Sequence, residues 1–320
     1  MAAFRFILQG EGAYTNVDGQ KMVMEEGDLI LTPQWAWHEH AHEGKEPMVW
    51  IDGLDVPFIQ SLQVISFQPY RQGRLPVSES IDPGSYYGTT RPVGGTDAPS
   101  MPFLHYRWRD TYPSLQRLGR GNGNPYDGVA LEYINPATGG STLPTLGCWI
   151  QMLRPGEHTK AHRHTSTSIY HAFRGSGTTM TATASCSHWE KGDTFHRAAW
   201  SWHEHANRSA TEEASDFIFP CMIFRSSRPS AFTGRKRKKK AKRKSSQICL
   251  DPQGSSESRG SALGPCGKIN IEAHPYGGRN SSTARLFDRF AVDLLHYTEI
   301  KNPLQRHICR ELCLPFPFVD

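Results

Sequence analysis

Two stretches of this chain, 165 residues apart, are copies of one another. With Gly10 set against Gly175, the next thirty residues align without a gap. Gly12 falls on Gly177, Glu25 on Glu190, and Gly27-Asp28 on Gly192-Asp193. Trp35 falls on Trp200, and Trp37-His38-Glu39-His40 on Trp202-His203-Glu204-His205. A chain repeated in this way folds the same unit twice. The second copy also carries His162 and His164 upstream of Gly175, and the same offset would place their counterparts before Met1. The first copy is therefore expected to begin late and to lack two of the histidines that the second possesses.

Short apolar runs punctuated by glycine read as strands. They are Phe4–Leu8, Tyr14–Val17, Asp28–Thr32 and Met48–Ile51 in the first copy. In the second they are Cys148–Leu153, His171–Arg174, Asp193–His196 and Asp216–Phe219. Asp18-Gly19 is a hairpin turn signal. Short strands with frequent Gly and Pro turns predict an all-β barrel or sandwich. A helix is expected near Arg109–Leu118 within an ordered connecting segment. The expected divisions are a first copy over 1–74, a connection over 75–140 and a second copy over 141–225. A tail over 226–320 is expected to lack a packed core, with one short helix at Leu286–Leu295.

Residues i and i+2 of a strand share a face, so His162 and His164 project together. His203 joins them from a later strand. An isolated histidine is more often a satisfied core or surface residue. A His-x-His pair with a third histidine at a repeated spacing is a metal-ligand pattern. Three imidazoles occupy one face of an octahedron and leave the other open, which suits non-haem Fe(II). Neutral imidazoles leave the ion its full charge, which favours an anionic chelating ligand. His205, two residues beyond His203, is expected to support a ligand or contact substrate. Trp35, Trp37, Trp200 and Trp202 are read as barrel packing, and His158, His188 and His196 as surface or core residues.

The segments Phe4–Gly12, Pro33–His40 and Pro47–Asp55 resemble the gentisate 1,2-dioxygenase family of bicupins. So do Leu131–Pro136, Gln151–Gly156, Ala161–His164 and Ala199–Asn207. That family also includes 1-hydroxy-2-naphthoate and salicylate ring-cleaving members, and the resemblance covers about residues 1–220. It implies a duplicated double-stranded β-helix and Fe(II) held by three histidines, with Ala3 and Ser168 where cupins usually carry a glutamate. It further implies cleavage of gentisate or a related hydroxybenzoate or hydroxynaphthoate by O2, giving maleylpyruvate from gentisate. By this resemblance His38 is a metal ligand, Arg5 binds the substrate carboxylate and Asp52 is a polar contact. His40 is a catalytic and substrate-contacting residue. A guanidinium pairs bidentately with carboxylate, so Arg5 suits that part. The alternative is a non-catalytic cupin that binds a metal or a small molecule.

The net charge of +5 comes from one run at 235–244, which holds nine Lys and Arg; the remainder sums to −4. The repeats are thus mildly acidic, and nucleic acid is not an expected partner. No apolar run reaches membrane-spanning length, and the seven cysteines show no zinc-like pairing. A reduced cytoplasmic enzyme, assembled as a homo-oligomer, is the expectation.

Overall fold

Frequent glycines cut this sequence into strands of two to eight residues. The computed structural model describes residues 1–78, 104–136, 138–181, 186–209, 211, 214–221 and 295–300. They fall into two compact units. The first contains β1 (Ala3–Gln9), β2 (Ala13–Val17), β3 (Gln20–Val23), β4 (Leu29–Thr32), β5 (His38–His42) and β6 (Met48–Leu54), then α1 (Val56–Ser61) and β7 (His105–Tyr106). After α2 (Trp108–Gly119) the second contains β8 (Val129–Tyr133), β9 (Cys148–Leu153), β10 (Thr167–Arg174), β11 (Ser176–Thr181) and β12 (Cys186–Glu190). Its last strands are β13 (Thr194–Arg197), β14 (His203–Asn207) and β15 (Ala214–Cys221). β16 (Leu295–Ile300) returns to the first unit.

Each unit holds one five-stranded and one three-stranded antiparallel sheet, ordered β16-β6-β1-β4-β7 with β3-β2-β5, and β13-β10-β15-β9-β8 with β12-β11-β14. This is the duplicated all-β cupin architecture that the sequence predicts, and the strands and the helix near Arg109–Leu118 lie where they were expected. The helix expected at Leu286–Leu295 lies outside the described residues except for Leu295, which opens β16. β16 flanks β6 as β9 flanks β15. Within 226–320 only β16 is among the described residues. The rest of the tail, with its basic run at 235–244, lies outside them.

The repetition extends to irregularities. The β1–β6 ladder shifts register between Ile7 and Gln9, and the β10–β15 ladder between Ala172 and Arg174, the same positions 165 residues on. A bulge bends and twists a strand, so a shared bulge gives both barrels the same local curvature. Trp35 and Trp200 both adopt the left-handed conformation, at φ 62° and 64°, and both are exposed rather than packed inside the barrel as expected, because that turn directs their rings outward. At the tight turn before β4, the Glu25 N–H donates to Asp28 Oδ2 at 3.3 Å; before β13, the Glu190 N–H donates to Asp193 Oδ2 at 3.0 Å.

The copies differ in register at one place. Thr15 faces His40 in the β2–β5 ladder, whereas Thr179 faces His205 in the β11–β14 ladder. His40 and His205 are 165 residues apart, but Thr15 and Thr179 are 164 apart. The second copy has one residue fewer entering β11. The gap-free match of Gly12 to Gly177 is therefore not a structural equivalence.

In the first unit Phe4, Phe6, Ile7, Leu29, Leu31 and Trp50 are all essentially inaccessible to solvent. Phe4 is paired with Gly53 across the ladder, and a Cβ on Gly53 would lie 2.2 Å from the Phe4 ring. The glycine is what lets the ring lie flat there. In the second unit Leu153, Tyr170, Ala172, Trp189 and Phe195 form a buried hydrophobic cluster, in which Ala172, Trp189 and Phe195 stand where the first copy has Ile7, Met24 and Ile30. Tyr170 and Phe195 stack at 5.0 Å with their planes 2° apart.

Candidate metal centre

His203 opens β14, and the His162 segment lies alongside it. The His162 N–H donates to the His203 carbonyl and the His203 N–H to the His162 carbonyl, each at 2.9 Å. The expected regular strand through His162 and His164 is not present. Isolated bridges join His158 to Ala206 and His162 to His203, and the register slips by one residue between them. At the slip, the Lys160 N–H leaves the ladder and donates to the Pro125 carbonyl at 2.7 Å. The extra residue is a bulge, and it rotates the His-x-His pair out of plain strand geometry. His162 and His164 still point together.

The ring donor atoms of His162, His164 and His203 all lie within 4.8 Å of one another, the one such group able to hold a metal ion among the described residues. Ring centroids are 4.4 Å apart for His162 and His203, and 5.1 Å for His164 and His203. Each Nδ1 faces a backbone carbonyl: Lys160 at 3.4 Å, Ser166 at 2.8 Å and Ser201 at 2.9 Å. A carbonyl only accepts, so the proton belongs on Nδ1 and the Nε2 lone pair is left for an ion. Burial, chiefly, and then the neighbouring His162 and His164 push the His203 imidazole down to about 3. It is neutral near pH 7, as a ligand must be. These residues fit a divalent transition metal: three convergent imidazole donors, each with its Nδ1 turned to a backbone carbonyl.

His205 is fully enclosed, and its Nδ1 pairs with Thr179 Oγ1 at 2.9 Å. Burial, followed by His203 and His162, holds its imidazole well below the usual range. Its ring packs 5.3 Å from that of His203 and 5.1 Å from that of Tyr170, so it braces the cluster rather than joining it. The Tyr170 hydroxyl lies 3.4 Å from His203 Nε2. Asp127 Oδ1 lies 3.3 Å from His162 Nε2. Neither Tyr170 nor Asp127 was read as a site residue from sequence. Tyr170 stands at the position of Arg5 in the repeat, and that signal was available. Asp127 sits in the turn Asn124-Pro125-Tyr126-Asp127-Gly128, which reads only as a loop.

In the first copy, Arg5, His38, His40 and Asp52 are close neighbours. Arg5 Nε forms an ion pair with Asp52 Oδ1 at 3.0 Å, and Nη1 donates to Thr32 Oγ1 at 2.5 Å. Trp50 Nε1 donates to Asp52 Oδ2 at 2.9 Å, and His40 Nδ1 pairs with Thr15 Oγ1 at 2.9 Å. Burial, with the Arg5 guanidinium next, holds His38 down to about 4, against the opposing bond to the Ala36 carbonyl. Among the described residues His38 is not part of a three-donor group. Across the repeat the guanidinium has changed strands: Arg5 and Thr32 of the first copy correspond to Tyr170 and Arg197 of the second. Both copies nonetheless keep one buried arginine acting on the third histidine, Arg5 on His38 and Arg197 on His203.

Residues 1–56 match the Cupin_2 cupin-domain family model. The chain is 39% identical over 211 residues to a 5-aminosalicylate 1,2-dioxygenase from Comamonas sp, covering 64% of this chain and 56% of that protein. It is 36% identical over 217 residues to a 1-hydroxy-2-naphthoate 1,2-dioxygenase from Nocardioides sp. (strain KP7), covering 66% and 55%. Among solved structures it is similar to a salicylate 1,2-dioxygenase from Pseudaminobacter salicylatoxidans, with a TM-score of 0.59 and 32% identity over 69% of this chain and 65% of that one. The chain thus spans a little over half the length of the curated relatives it matches.

Proposed function

We propose, since the chain belongs to the gentisate 1,2-dioxygenase family of bicupin ring-cleaving dioxygenases, that it opens the ring of a hydroxylated aromatic acid with O2, using Fe(II) at the second-copy histidines. The observation that carries this reading is the convergence of His162, His164 and His203 on one point with their Nδ1 protons directed outward. Fe(II), when bound, supplies Lewis acidity and the one-electron chemistry that lets dioxygen react with an aromatic ring.

The chain's own groups do the rest. The carbonyls of Lys160, Ser166 and Ser201 hold the three imidazoles in one tautomer. Three neutral donors leave a net positive site, which attracts the carboxylate and phenolate of a hydroxy acid. The Tyr170 hydroxyl, beside His203, is placed to hydrogen-bond an oxygen of a ligand there. Buried aromatic and aliphatic side chains exclude bulk water and strengthen these interactions. In the first copy Arg5, His40 and Asp52 are the polar groups offered to an aromatic acid. The charge on Arg5 is already balanced by Asp52, so a carboxylate would have to share the guanidinium. Among the described residues no helix is long and apolar enough to cross a membrane. A cytoplasmic, oligomeric enzyme accords with the family.

Oxygen uptake by protein loaded anaerobically with Fe(II) tests the reading, with gentisate, salicylate, 5-aminosalicylate and 1-hydroxy-2-naphthoate offered in turn. Uptake matched by loss of the substrate's aromatic absorbance is expected with at least one of them, and not with His203→Ala. Iron-loaded protein that consumes no oxygen with any of the four contradicts it.

A further inference from the structure

We propose that Asp127 is a fourth protein ligand of the second-copy metal site, a carboxylate delivered from the turn before β8. This rests on the reading of His162, His164 and His203 as a metal centre. Cupins usually take their acidic ligand from the strand that here carries Ser168, which has no carboxylate. The turn at 124–128 brings one from another direction. Asp127 is 8% exposed, and its Oδ1 lies 3.3 Å from His162 Nε2. Two donors about 2.1 Å from one ion and at right angles to each other are about 3.0 Å apart. The carboxylate stands against His162 but outside the group formed by the three imidazoles, so it must move inward to share their ion.

The turn is built to hold that carboxylate. The Asn124 N–H donates to the Gly128 carbonyl, and the Gly128 N–H donates back to the Asn124 carbonyl at 2.7 Å. Asn124 Nδ2 donates to Asp127 Oδ2 at 2.7 Å, which occupies one carboxylate oxygen and aims the other at His162. Gln151 Nε2 donates to the Asp127 carbonyl at 2.7 Å, and the Lys160 N–H to the Pro125 carbonyl at 2.7 Å. The second of these bonds ties the turn to the bulge that carries the His-x-His pair. The ring of Tyr126 meets His162 edge-on at 6.1 Å. His162 Nε2 and Asp127 Oδ1 face each other across 3.3 Å, a separation that either a shared proton or a metal ion held by both accommodates. As a ligand, the carboxylate would lower the net charge of the metal site by one.

The test is Co(II) binding to the full chain, followed by titration and by its visible absorption band, for the wild type, D127N, D127E and H203A. D127N retains an oxygen for the bond to Asn124 but no anionic donor. Its affinity is expected to fall by more than about 100-fold, beyond the 10–100-fold that loss of an outer-shell partner costs. Its Co(II) band should change in position or intensity, and D127E should recover most of the affinity. D127N binding within about 100-fold of wild type with an unchanged band overturns the proposal and leaves Asp127 as an ion-pair partner of His162. Should D127N not fold, D127E decides: a wild-type-like band supports the ligand, and an absent band overturns it. Wild type that binds no Co(II), or binding that survives H203A, overturns the metal centre as well, so the two failures are told apart.

Discussion

His162 and His203 exchange both backbone hydrogen bonds at 2.9 Å and hold their rings 4.4 Å apart. Such a doubly hydrogen-bonded pair locks the two backbones in register, and it fixes two ligand side chains relative to each other before any ion arrives. Preorganisation of this kind places the cost of ordering the site on the fold rather than on metal binding.

Metal should therefore stabilise the folded chain. Divalent ion at about 100 times its Kd is expected to add about 2.7 kcal/mol to the unfolding free energy. The rise in Tm should vanish on adding chelator and in His162→Ala. Thermal melts with and without Co(II) or Fe(II) under anaerobic conditions measure it. A rise that persists in His162→Ala would place the ion elsewhere.

The Arg5–Asp52 pair is buried, with side chains 3% and 12% exposed. Removing one partner strands a charge, and such losses are typically about 3–5 kcal/mol. Asp52→Leu is expected to destabilise by an amount in that range. The double variant Arg5→Met/Asp52→Leu should cost clearly less than the two single losses added, because no charge is left unpaired. Additive losses from denaturant unfolding would mean that the pair is not coupled.

His171 supplies a pH dependence separate from the metal site. It is enclosed beside Thr194, with Nδ1 and Oγ1 2.8 Å apart, and burial, the leading cause, lowers it to about 4. Asp193 pulls the other way and Lys191 reinforces the burial. The folded value lies below the unfolded value of 6.5, so between them the unfolded chain binds more protons and stability rises with pH. The full contribution is present above pH 6.5 and is lost as the pH falls towards 4. At about 1.4 kcal/mol per unit of displacement the loss approaches ~3 kcal/mol. His171→Gln should flatten that part of a stability-against-pH curve. An unchanged slope would show that His171 titrates normally.

Much of this could be read in advance, because the chain states its fold twice. The repeated Trp-x-Trp-His-Glu-His block located β5 and β14, and the matched Gly-Asp pairs located β4 and β13. The third histidine of the cluster was legible from the repeat, and the other two from their spacing. What escaped were features set by hydrogen-bond register. The one-residue change between Thr15 and Thr179 is invisible where identical glycines align on either side of it. The bulge between His158 and His162 depends on the Pro125 carbonyl capturing the Lys160 N–H, a contact across 35 residues. Asp127 escaped for the same reason, since a turn residue discloses nothing about what it faces. The exchange of guanidinium between Arg5 and Arg197 preserves an effect while changing both residues, so comparison residue by residue passes over it.

The two left-handed tryptophans differ in their surroundings and should differ on substitution. Trp35 at φ 62° is 79% exposed, whereas Trp200 at φ 64° is 37% exposed, with the Arg163 guanidinium 4.3 Å from its ring. A non-glycine residue in this region carries about 1–2 kcal/mol of strain. Glycine removes the strain at an entropic cost of roughly 0.5–1 kcal/mol. Trp35→Gly is therefore expected to stabilise by up to about 1 kcal/mol. Trp200→Gly gains the same relief but loses a cation–π contact worth about 0.5–1 kcal/mol together with packing, so it should be neutral or destabilising. The Trp200 N–H, which donates to the His164 carbonyl at 2.7 Å, remains in the glycine variant, so Co(II) affinity should be unchanged there. Paired Tm measurements decide it: equal shifts of the same sign would mean that the Arg163 contact contributes nothing.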